Sequence, residues 1–550
     1  MRFLRFLAFV AALALISWGL ATSTEQADRY WLLILLVAAV LLGIAWWPRG
    51  VRTLPSTNRT IVRTGMILLL VFIMLTVQLV RIQVVEGDNI VNRVATGPDG
   101  AVVTNLRLRI DELTHRRGRI LDRDGVPMAD SAQREDGTWQ RTWPEASVGS
   151  LVGYYSPALY GSTNLEAAFD DYLRGDKGGS KAQTWLDDLL HVEQGGYDVV
   201  TTIDMDLQRL AVELLDGRAG AVVLLDPATG EVLTMAGEPG LDPNLLYVNS
   251  GQQSAEEIDA AEAYWAQLLA DPNAPLVFRP TSGLYNPGST FKTLTATALI
   301  DSGQANPDTI FRDEGILEVD GRVIVENNRP DDTQVNWSLE ESFAWSLNIV
   351  FAQIGLQLGP ELLLEYAERF GFGDQIPFEI PTAASQIAGD ESDLNTRTLL
   401  ADTGFGQGQI LASPLQMALT IAAVINDGVL QAPRIGSEVL DDDGNVLERF
   451  ESDSLGRVMT PETAEHMRRL LEASVAYGYA NGAAIDGATV GGKTGTAELD
   501  DGAAHSWFIG YAEAGERQWV VSVVVERGGA GSAAALPIGR ALLQAAVSGS

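Results

Sequence analysis

Cysteine is absent from this sequence of 550 residues, and histidine is scarce. A chain without thiols cannot form disulfides, thiolate nucleophiles, iron–sulfur clusters or cysteine-ligated zinc sites. The four histidines include no HExxH or HxxxH pair, which argues against a histidine-rich metal centre. We therefore expect neither a metal nor a cofactor.

Positive charge is also in short supply. Against 72 Asp and Glu residues stand only 38 Lys and Arg residues, so the formal net charge is −34. Such an acidic chain is a poor partner for phosphate backbones, which argues against nucleic-acid binding. Only four of the cations are lysines, namely Lys177, Lys181, Lys292 and Lys493. Because a desolvated lysine can release its proton and arginine cannot, Lys292 and Lys493 are candidates for an ionisable amine.

Apolar residues are concentrated at the start of the chain. Three segments are almost free of charge: Phe6–Ala21, Trp31–Trp47 and Gly65–Val80. Each is close to the length that crosses ~30 Å of hydrocarbon, and none keeps the polar stripe of a helix on a soluble core. The sequence predicts a membrane anchor over residues 1–81, with transmembrane helices at about 6–21, 31–47 and 65–80.

Arginines predict the orientation of this anchor. They precede the first segment and crowd the link between the second and third, at Arg2, Arg5, Arg49, Arg52, Arg59 and Arg63. Positive charge stays on the cytoplasmic side, so we expect a cytoplasmic N-terminus and an exported region after Arg81. A cleaved signal peptide at Phe6–Ala21 is the alternative, and it leaves the large C-terminal part on the same side.

The exported part divides into two regions. Residues 82–217 are mixed and rich in turns, which predicts a small domain. Residues 218–550 have strands at both ends and helices between them, which predicts an α+β domain whose terminal helix covers one sheet face. The predicted strands are Ala221–Leu225, Glu231–Ala236, Thr489–Ala497, Trp507–Tyr511 and Trp519–Val525. The predicted helices are Ala255–Leu269, Ser289–Asp301, Leu339–Phe343, Val350–Leu358, Pro360–Phe370, Pro414–Asn426 and Ala533–Val547.

Three local patterns predict turns or helix ends. Asp226–Gly230 has the composition of a hairpin turn between the first two of these strands. Ser338 and Glu341 have the spacing of a capping box. Asp441–Gly444 resembles part of a calcium loop, but Val439 occupies the first ligand position, so we interpret this segment as a hairpin turn.

Ser289 and Lys292 are the first candidates for catalysis. They close the run Tyr285–Lys292 (YNPGSTFK), whose Pro-Gly turn is suited to starting a helix. Three residues apart, the two side chains share a helix face, so the amine can approach the hydroxyl. The positive end of the helix dipole and a second cation, for which Lys493 is the candidate, lower the pKa of the lysine. Such a base turns serine into a nucleophile.

Two further motifs complete a pattern. Lys493 begins the run Lys493-Thr494-Gly495-Thr496, in a predicted strand whose edge can pair with an extended peptide. The hydroxyls of Thr494 and Thr496 can hold a carboxylate, and Gly495 permits close backbone approach. Ser346-Leu347-Asn348 lies between the two lysines. The order SxxK, SxN, KTG is a far more specific signal than any of its parts.

With these motifs the sequence resembles the penicillin-binding protein and serine β-lactamase superfamily. Longer runs carry the same likeness, at Ala219–Asn244, Tyr285–Lys292, Gly404–Met417 and Gly492–Tyr511. Upstream, Arg117–Gly125 (RGRILDRDG) resembles the hallmark of the class B penicillin-binding proteins, which are monofunctional transpeptidases. Class B members usually have one transmembrane helix, whereas three are predicted here.

The resemblance implies a peptidoglycan D,D-transpeptidase that is inhibited by β-lactams. Ser289 would attack the carbonyl between the two terminal D-alanines of a stem peptide, and D-Ala would leave. Lys292 would be the base, and Ser346 with Lys493 would pass the proton to the leaving amine. Asn348 would hold the substrate amide, and Thr494 and Thr496 would bind the carboxylate. The backbone N–H groups of Ser289 and Thr496 would form the oxyanion hole.

The resemblance also implies an architecture and partners. We expect a membrane anchor, a small mixed pedestal domain over 82–217, and a transpeptidase domain over 218–550 with a central antiparallel sheet flanked by helices. Expected partners are D-Ala-D-Ala stem peptides, β-lactams, the membrane and a multi-pass glycan polymerase.

Several alternatives stay open. A D,D-carboxypeptidase would use water in place of the acceptor amine, and a catalytically inactive scaffold would only bind a polymerase. A secreted β-lactamase needs neither pedestal nor membrane helices. A β-lactam sensor would need a cytoplasmic signalling domain, and a bifunctional enzyme would need room for a glycosyltransferase. Near the motifs, we interpret His505 as structural, and Trp345 and Trp507 as wall or core.

Overall fold

The computed structural model describes residues 2–21, 25–46, 51–82, 95–96, 102–103, 115–178, 195–249 and 253–549. It divides into two compact units, residues 1–111 and residues 112–550.

Within the described residues of the first unit there are three helices, α1 (Arg2–Ala21), α2 (Glu25–Trp46) and α3 (Ser56–Val80). The same residues include a 3₁₀ turn (Val51–Thr53) and the paired strands β1 (Ala95–Thr96) and β2 (Val102–Val103). In the part of the chain that the structure describes, two helical stretches are long and apolar enough to cross a membrane, Phe3–Leu20 and Ser56–Val80, while the apolar stretch Tyr30–Trp46 is shorter. Three membrane-spanning helices therefore stay a prediction, and Trp47 lies outside the described residues.

A six-stranded sheet organises the first half of the second unit. Its strands are β3 (Ile120–Leu121), β4 (Pro127–Gln133), β5 (Trp139–Thr142), β8 (Asp198–Thr201), β16 (Gly436–Leu440) and β17 (Val446–Arg449), in the order β17-β16-β8-β3-β4-β5. Only β3 and β8 pair in parallel. Short elements surround the sheet: α4 (Gly149–Val152), β6 (Tyr155–Ser156), β7 (Gly161–Ser162), α5 (Asn164–Ala168) and α6 (Asp170–Leu173). Because β16 and β17 belong to the later part of the chain, this sheet joins segments from both predicted exported domains.

A buried ionic cluster lies beside this sheet. Glu166 is fully buried, and its two carboxylate oxygens accept hydrogen bonds from Arg117 at 2.9 Å and from Arg141 at 2.7 Å. Arg117 also pairs with Asp170 at 2.6 Å. Arg117, the first residue of the RGRILDRDG run, therefore connects Glu166 and Asp170 in this cluster.

Replacing Glu166 by alanine is expected to lower the free energy of unfolding by about 3–5 kcal/mol, because two guanidinium groups are left buried without their shared carboxylate. Urea unfolding of the detergent-solubilised protein, followed by tryptophan fluorescence, measures this. Glu365→Ala is the matched control, since it removes an exposed carboxylate paired with Arg369 and is expected to cost less than about 1 kcal/mol. Equal losses in the two variants would contradict the prediction.

An antiparallel five-stranded sheet forms the centre of the C-terminal region. Its strands are β9 (Gly220–Leu225), β10 (Val232–Glu238), β19 (Thr489–Glu498), β20 (Ala504–Ala514) and β21 (Arg517–Val525), in the order β10-β9-β21-β20-β19. Alternate residues of β9 face opposite sides, because side chains alternate along a strand. Val222 and Leu224 pack with α7 (Met205–Leu215) and the terminal helix α16 (Ala535–Ser548), whereas Val223 faces the larger core with α14 (Pro414–Ile425). The predicted sheet with helices on both faces and a covering terminal helix is confirmed.

The remaining elements lie between β10 and β19. The helices are α8 (Ala255–Ala270), α9 (Arg279–Ser282), α10 (Lys292–Asp301), α11 (Leu339–Ala344), α12 (Asn348–Arg369), α13 (Arg397–Gly404) and α15 (Pro461–Ala476). The short strands are β11 (Ile310–Arg312), β12 (Ile316–Val319), β13 (Arg322–Val325), β14 (Asn336–Ser338), β15 (Val429–Gln431) and β18 (Ser454–Arg457). The 3₁₀ turns of the second unit are Ala146–Val148, Pro243–Leu245, Gly288–Phe291, Glu391–Asn395 and Asn481–Ala483.

The local sequence signals agree with these elements. Ser338 and Glu341 form both hydrogen bonds of a capping box at the start of α11. Asp441–Gly444 forms the turn between the paired strands β16 and β17. The two helices predicted on either side of residue 359 are both present: α12 consists of two helical stretches that meet in a kink at Gly359, where the φ of 75° and the ψ of 170° are not helical. Pro360 provides the reason for the kink, because it cannot donate the backbone hydrogen bond that a straight helix needs there.

Candidate active site

A 3₁₀ turn presents Ser289. The turn spans Gly288–Phe291 and leads directly into α10, so Ser289 precedes the α-helix in which the sequence placed it. In a 3₁₀ turn, residues three apart eclipse each other more closely than in an α-helix. Ser289 and Lys292 therefore project from one side of the turn. Ser289 is partly exposed, whereas Lys292 is completely buried.

Two glycines allow this turn to pack against β19. A Cβ atom on Gly495 would lie 2.8 Å from the carbonyl oxygen of Pro287, and one on Gly288 would lie 2.8 Å from the carbonyl oxygen of Thr496. Gly288 also has a φ of 53°, which disfavours other residues. The backbone that closely approaches Gly495 therefore belongs to the turn that carries Ser289. This contact brings Ser289 beside Thr494 and Thr496.

The amine of Lys292 lies at the centre of a hydrogen-bond network. Its Nζ atom is 2.7 Å from the carbonyl oxygen of Ser346, 3.2 Å from Ser346 Oγ and 2.7 Å from Asn348 Oδ1. Ser346 lies just after α11, and Asn348 is the first residue of α12. The SxxK and SxN motifs, which are more than fifty residues apart in sequence, therefore meet at one amine.

Burial governs the charge of both lysines. Burial is the largest cause that lowers the pKa of Lys292 well below its ordinary value; the positive charge of Lys493 lowers it further, and the negative charge of Glu326 raises it. Burial alone lowers the pKa of Lys493 to about 7. Lys493 is completely buried and donates to the carbonyl oxygen of Thr494 at 3.1 Å. Near neutral pH, these amines can exist without a proton, as general-base catalysis requires.

A largely polar cleft of about 800 Å³ opens in front of these groups. The predicted site residues that line it are Ser289, Ser346, Asn348, Thr494 and Thr496. Lys292 and Lys493 lie behind its wall, in contact with those residues. β19 is an edge strand of the five-stranded sheet, so one side of it has no strand partner among the described residues. An extended peptide in the cleft can pair with that edge.

Several residues that no sequence motif marked also form this region. Arg322 and Asn328 line the cleft, and Glu326 lies buried beside it. None belongs to a pattern with a known spacing, so only the fold brings them to the site. His505 and Trp507, interpreted from the sequence as structural and as wall or core, both make structural contacts. The Nδ1 atom of His505 accepts a hydrogen bond from the backbone N–H of Arg527 at 3.3 Å. Trp507 is buried, and its indole N–H donates to the carbonyl oxygen of Asn286 at 3.0 Å.

Known protein families match both parts of the second unit. The sequence model of the penicillin binding protein transpeptidase domain matches residues 220–544, more than half of the chain. The chain belongs to the class B penicillin-binding proteins. The model of the penicillin binding protein A dimerisation domain matches residues 117–199 of this penicillin-binding protein, over the pedestal predicted from the sequence.

Relatives of this penicillin-binding protein support the assignment. It is 31% identical over 463 residues to the peptidoglycan D,D-transpeptidase PbpA of Mycolicibacterium smegmatis, an alignment that covers 80% of this chain and 91% of the relative. Its fold is similar to that of penicillin-binding protein A from M. tuberculosis, solved as a ceftriaxone acyl-enzyme complex, with a TM-score of 0.73 and 28% identity over 80% of this chain and all of that one. A D,D-transpeptidase domain from Eggerthella lenta gives a TM-score of 0.68 at 30% identity, over 79% of this chain and 99% of that one.

Proposed function

We propose that this penicillin-binding protein cross-links peptidoglycan through an acyl-enzyme on Ser289. The Ser289 Oγ atom attacks the carbonyl carbon between the two terminal D-alanines, and its proton passes to the neutral amine of Lys292. The C–N bond then breaks, and the leaving D-Ala amine takes a proton through Ser346 and Lys493. An amine of a neighbouring stem peptide attacks the ester, which forms the new amide bond and frees Ser289.

One observation carries this proposal. A buried amine, flanked by a second buried amine, contacts both Ser346 and Asn348 at the wall of the cleft that exposes Ser289. Desolvation favours the neutral form of an amine, which is the form that can accept the serine proton. No other lysine among the described residues is buried: Lys177 has 56% of its side chain exposed.

The remaining site residues bind and orient the substrate in this proposal. Asn348 holds the substrate amide, while Thr494 and Thr496 bind the terminal carboxylate with help from the charge of Lys493. Gly495 keeps the substrate-binding strand against the serine turn. The N–H groups of Ser289 and Thr496 stabilise the oxyanion that forms on the attacked carbonyl. β-Lactams present the same carbonyl and carboxylate, and they leave a stable ester on Ser289.

We also propose an arrangement in the cell envelope. The helices within residues 1–81 anchor the protein in the cell membrane with the N-terminus in the cytoplasm, and residues 82–217 and 218–550 form the pedestal and transpeptidase domains outside. The arginines that follow α2 and begin α3, Arg49, Arg52, Arg59 and Arg63, support this orientation. The transpeptidase works on strands made by a multi-pass glycan polymerase bound to the anchor and pedestal.

Product analysis tests the reaction. The purified full-length protein is supplied with uncross-linked glycan strands made by a separate polymerase, and the digested products are analysed by mass spectrometry. We expect cross-linked muropeptide dimers together with free D-Ala, and neither product with Ser289→Ala. D-Ala release with shortened monomers only would indicate a carboxypeptidase, and absence of both products would indicate the scaffold; either result would contradict the proposal.

A further inference from the structure

The backbone of Ser346 is held in an unusual conformation. Its φ is 58°, in the left-handed region, which residues other than glycine adopt only where their surroundings hold them there. Ser346 is 5% exposed, and its carbonyl oxygen accepts two hydrogen bonds, from Lys292 Nζ at 2.7 Å and from Asn328 Nδ2 at 2.9 Å. Residues outside the SxN motif therefore help to hold the backbone of Ser346 in this conformation.

Besides Lys292, Glu326 and Asn328 hold the segment that contains Ser346. One carboxylate oxygen of Glu326 accepts the backbone N–H of Ile349 at 2.9 Å, in the first turn of α12, and the other accepts the N–H of Asn328 at 3.0 Å. A carboxylate at a helix N-terminus satisfies an N–H group that has no partner within the helix. Glu326 and Asn328 thus bind both ends of the segment from Ser346 to Ile349. We call residues 326–328 the clamp.

The charge of Glu326 also acts on Lys292. Glu326 is 6% exposed, and its negative charge opposes the lowering of the Lys292 pKa by burial and by Lys493. Burial is the largest cause that raises the pKa of Glu326 itself, with a further contribution from Asp313, while Lys292 lowers it. Tyr479 faces the same carboxylate, which adds to the effect of burial in raising the pKa of that phenol.

We propose that Glu326 and Asn328 are positioning residues of the acylation step: the clamp holds the Ser346 carbonyl and Asn348 against Lys292, and the negative charge of the Glu326 carboxylate acts on the buried Lys292 amine. This inference rests on the proposed role of Lys292 as the base. It adds a negative group to a site whose motif residues carry only positive charge. It also assigns a function to a segment that no sequence pattern marked.

The pH dependence of acylation tests the charge of Glu326. Glu326→Gln removes the negative charge that favours protonated Lys292, so the pKa of Lys292 falls. We expect the rising limb of the acylation rate against pH, measured with a fluorescent penicillin on the full-length protein, to move to lower pH by about one unit. The plateau rate should also fall, because a less basic amine is a weaker general base. Glu326→Asp keeps the charge and should restore the position of the limb.

Asn328→Ala tests the hydrogen bond separately. It removes one neutral donor from the Ser346 carbonyl, which should lower the acylation rate about five-fold to ten-fold without moving the limb. Glu318→Gln, at an exposed position on β12, is the matched control and should behave like wild type. Active protein is counted in each case from the final extent of labelling, and the melting temperature is recorded.

Each outcome has a distinct meaning. The inference would be overturned if the rising limb of the acylation rate against pH stayed in place in Glu326→Gln. This holds whether the acylation rate is unchanged or falls only in proportion to the amount of folded protein. A limb that moves equally in Glu326→Gln and Glu318→Gln would overturn it as well. Failure of the proposed function is recognised differently, by covalent labelling that persists in Ser289→Ala.

Discussion

Ser289→Ala is expected to abolish covalent labelling by a fluorescent penicillin, with a loss of at least about ten-thousand-fold in acylation rate. The variant lacks the oxygen atom that forms the ester, so no covalent bond from residue 289 to the penicillin can form. The fold should be unaffected, since the turn is held by buried Phe291 and by the packing of Gly288 and Gly495 against neighbouring backbone. Gel fluorescence of purified protein at increasing times measures the rate.

Ser302→Ala provides the matched control for this variant. Ser302 follows the last residue of α10, at the end of the helix remote from Ser289, and its hydroxyl contacts only the Leu299 carbonyl at 3.2 Å. It should label at the wild-type rate. Labelling of Ser289→Ala that continues at an unchanged rate would remove Ser289 from the mechanism and move the nucleophile elsewhere.

Lys292→Met is expected to lower the rate of acylation by about 10²-fold to 10⁴-fold while the protein remains folded. Methionine has a similar length and no charge, so it fits the buried position. It cannot accept the serine proton, and it releases the contacts to Ser346 and Asn348. Stopped-flow or timed-quench labelling, together with a thermal melt, separates the loss of catalysis from a loss of folding.

Lys177→Met is the control for the charge change. Lys177 is largely exposed and lies 3.9 Å from Glu448, far from any role in the cleft. This variant should acylate as wild type does. If Lys292→Met retained more than about a tenth of the wild-type rate in spite of normal folding, Lys292 would not be the general base.

The sequence alone could predict much of the site because spacing within a short segment translates directly into geometry. Ser289 and Lys292 are three residues apart, so any helical turn places them on one side. Ser338 and Glu341 predicted the start of α11 for the same reason. The 3₁₀ form of the serine turn was not predicted, because it depends on the close packing of Gly288 against β19 rather than on local preference.

The clamp shows where sequence reasoning ended. Glu326 and Asn328 reach Ser346 and Ile349 across about twenty residues of intervening chain. Those contacts depend on how the β12–β13 hairpin and α12 pack, which has no signature in residue spacing. The six-stranded sheet gives a second case, because β16 and β17 join strands that the sequence assigned to another domain.

Composition and motif order determined the chemical class of this protein: no thiol, four lysines, apolar segments at the start and the order SxxK, SxN, KTG. Tertiary structure decided the electrostatics. Whether an amine is charged depends on how much water surrounds it and on which charges face it, and those quantities arise only when distant segments pack. For Lys292, complete burial, the positive charge of Lys493 and the carboxylate of Glu326 set that balance, whereas for Lys493 burial alone lowers the pKa.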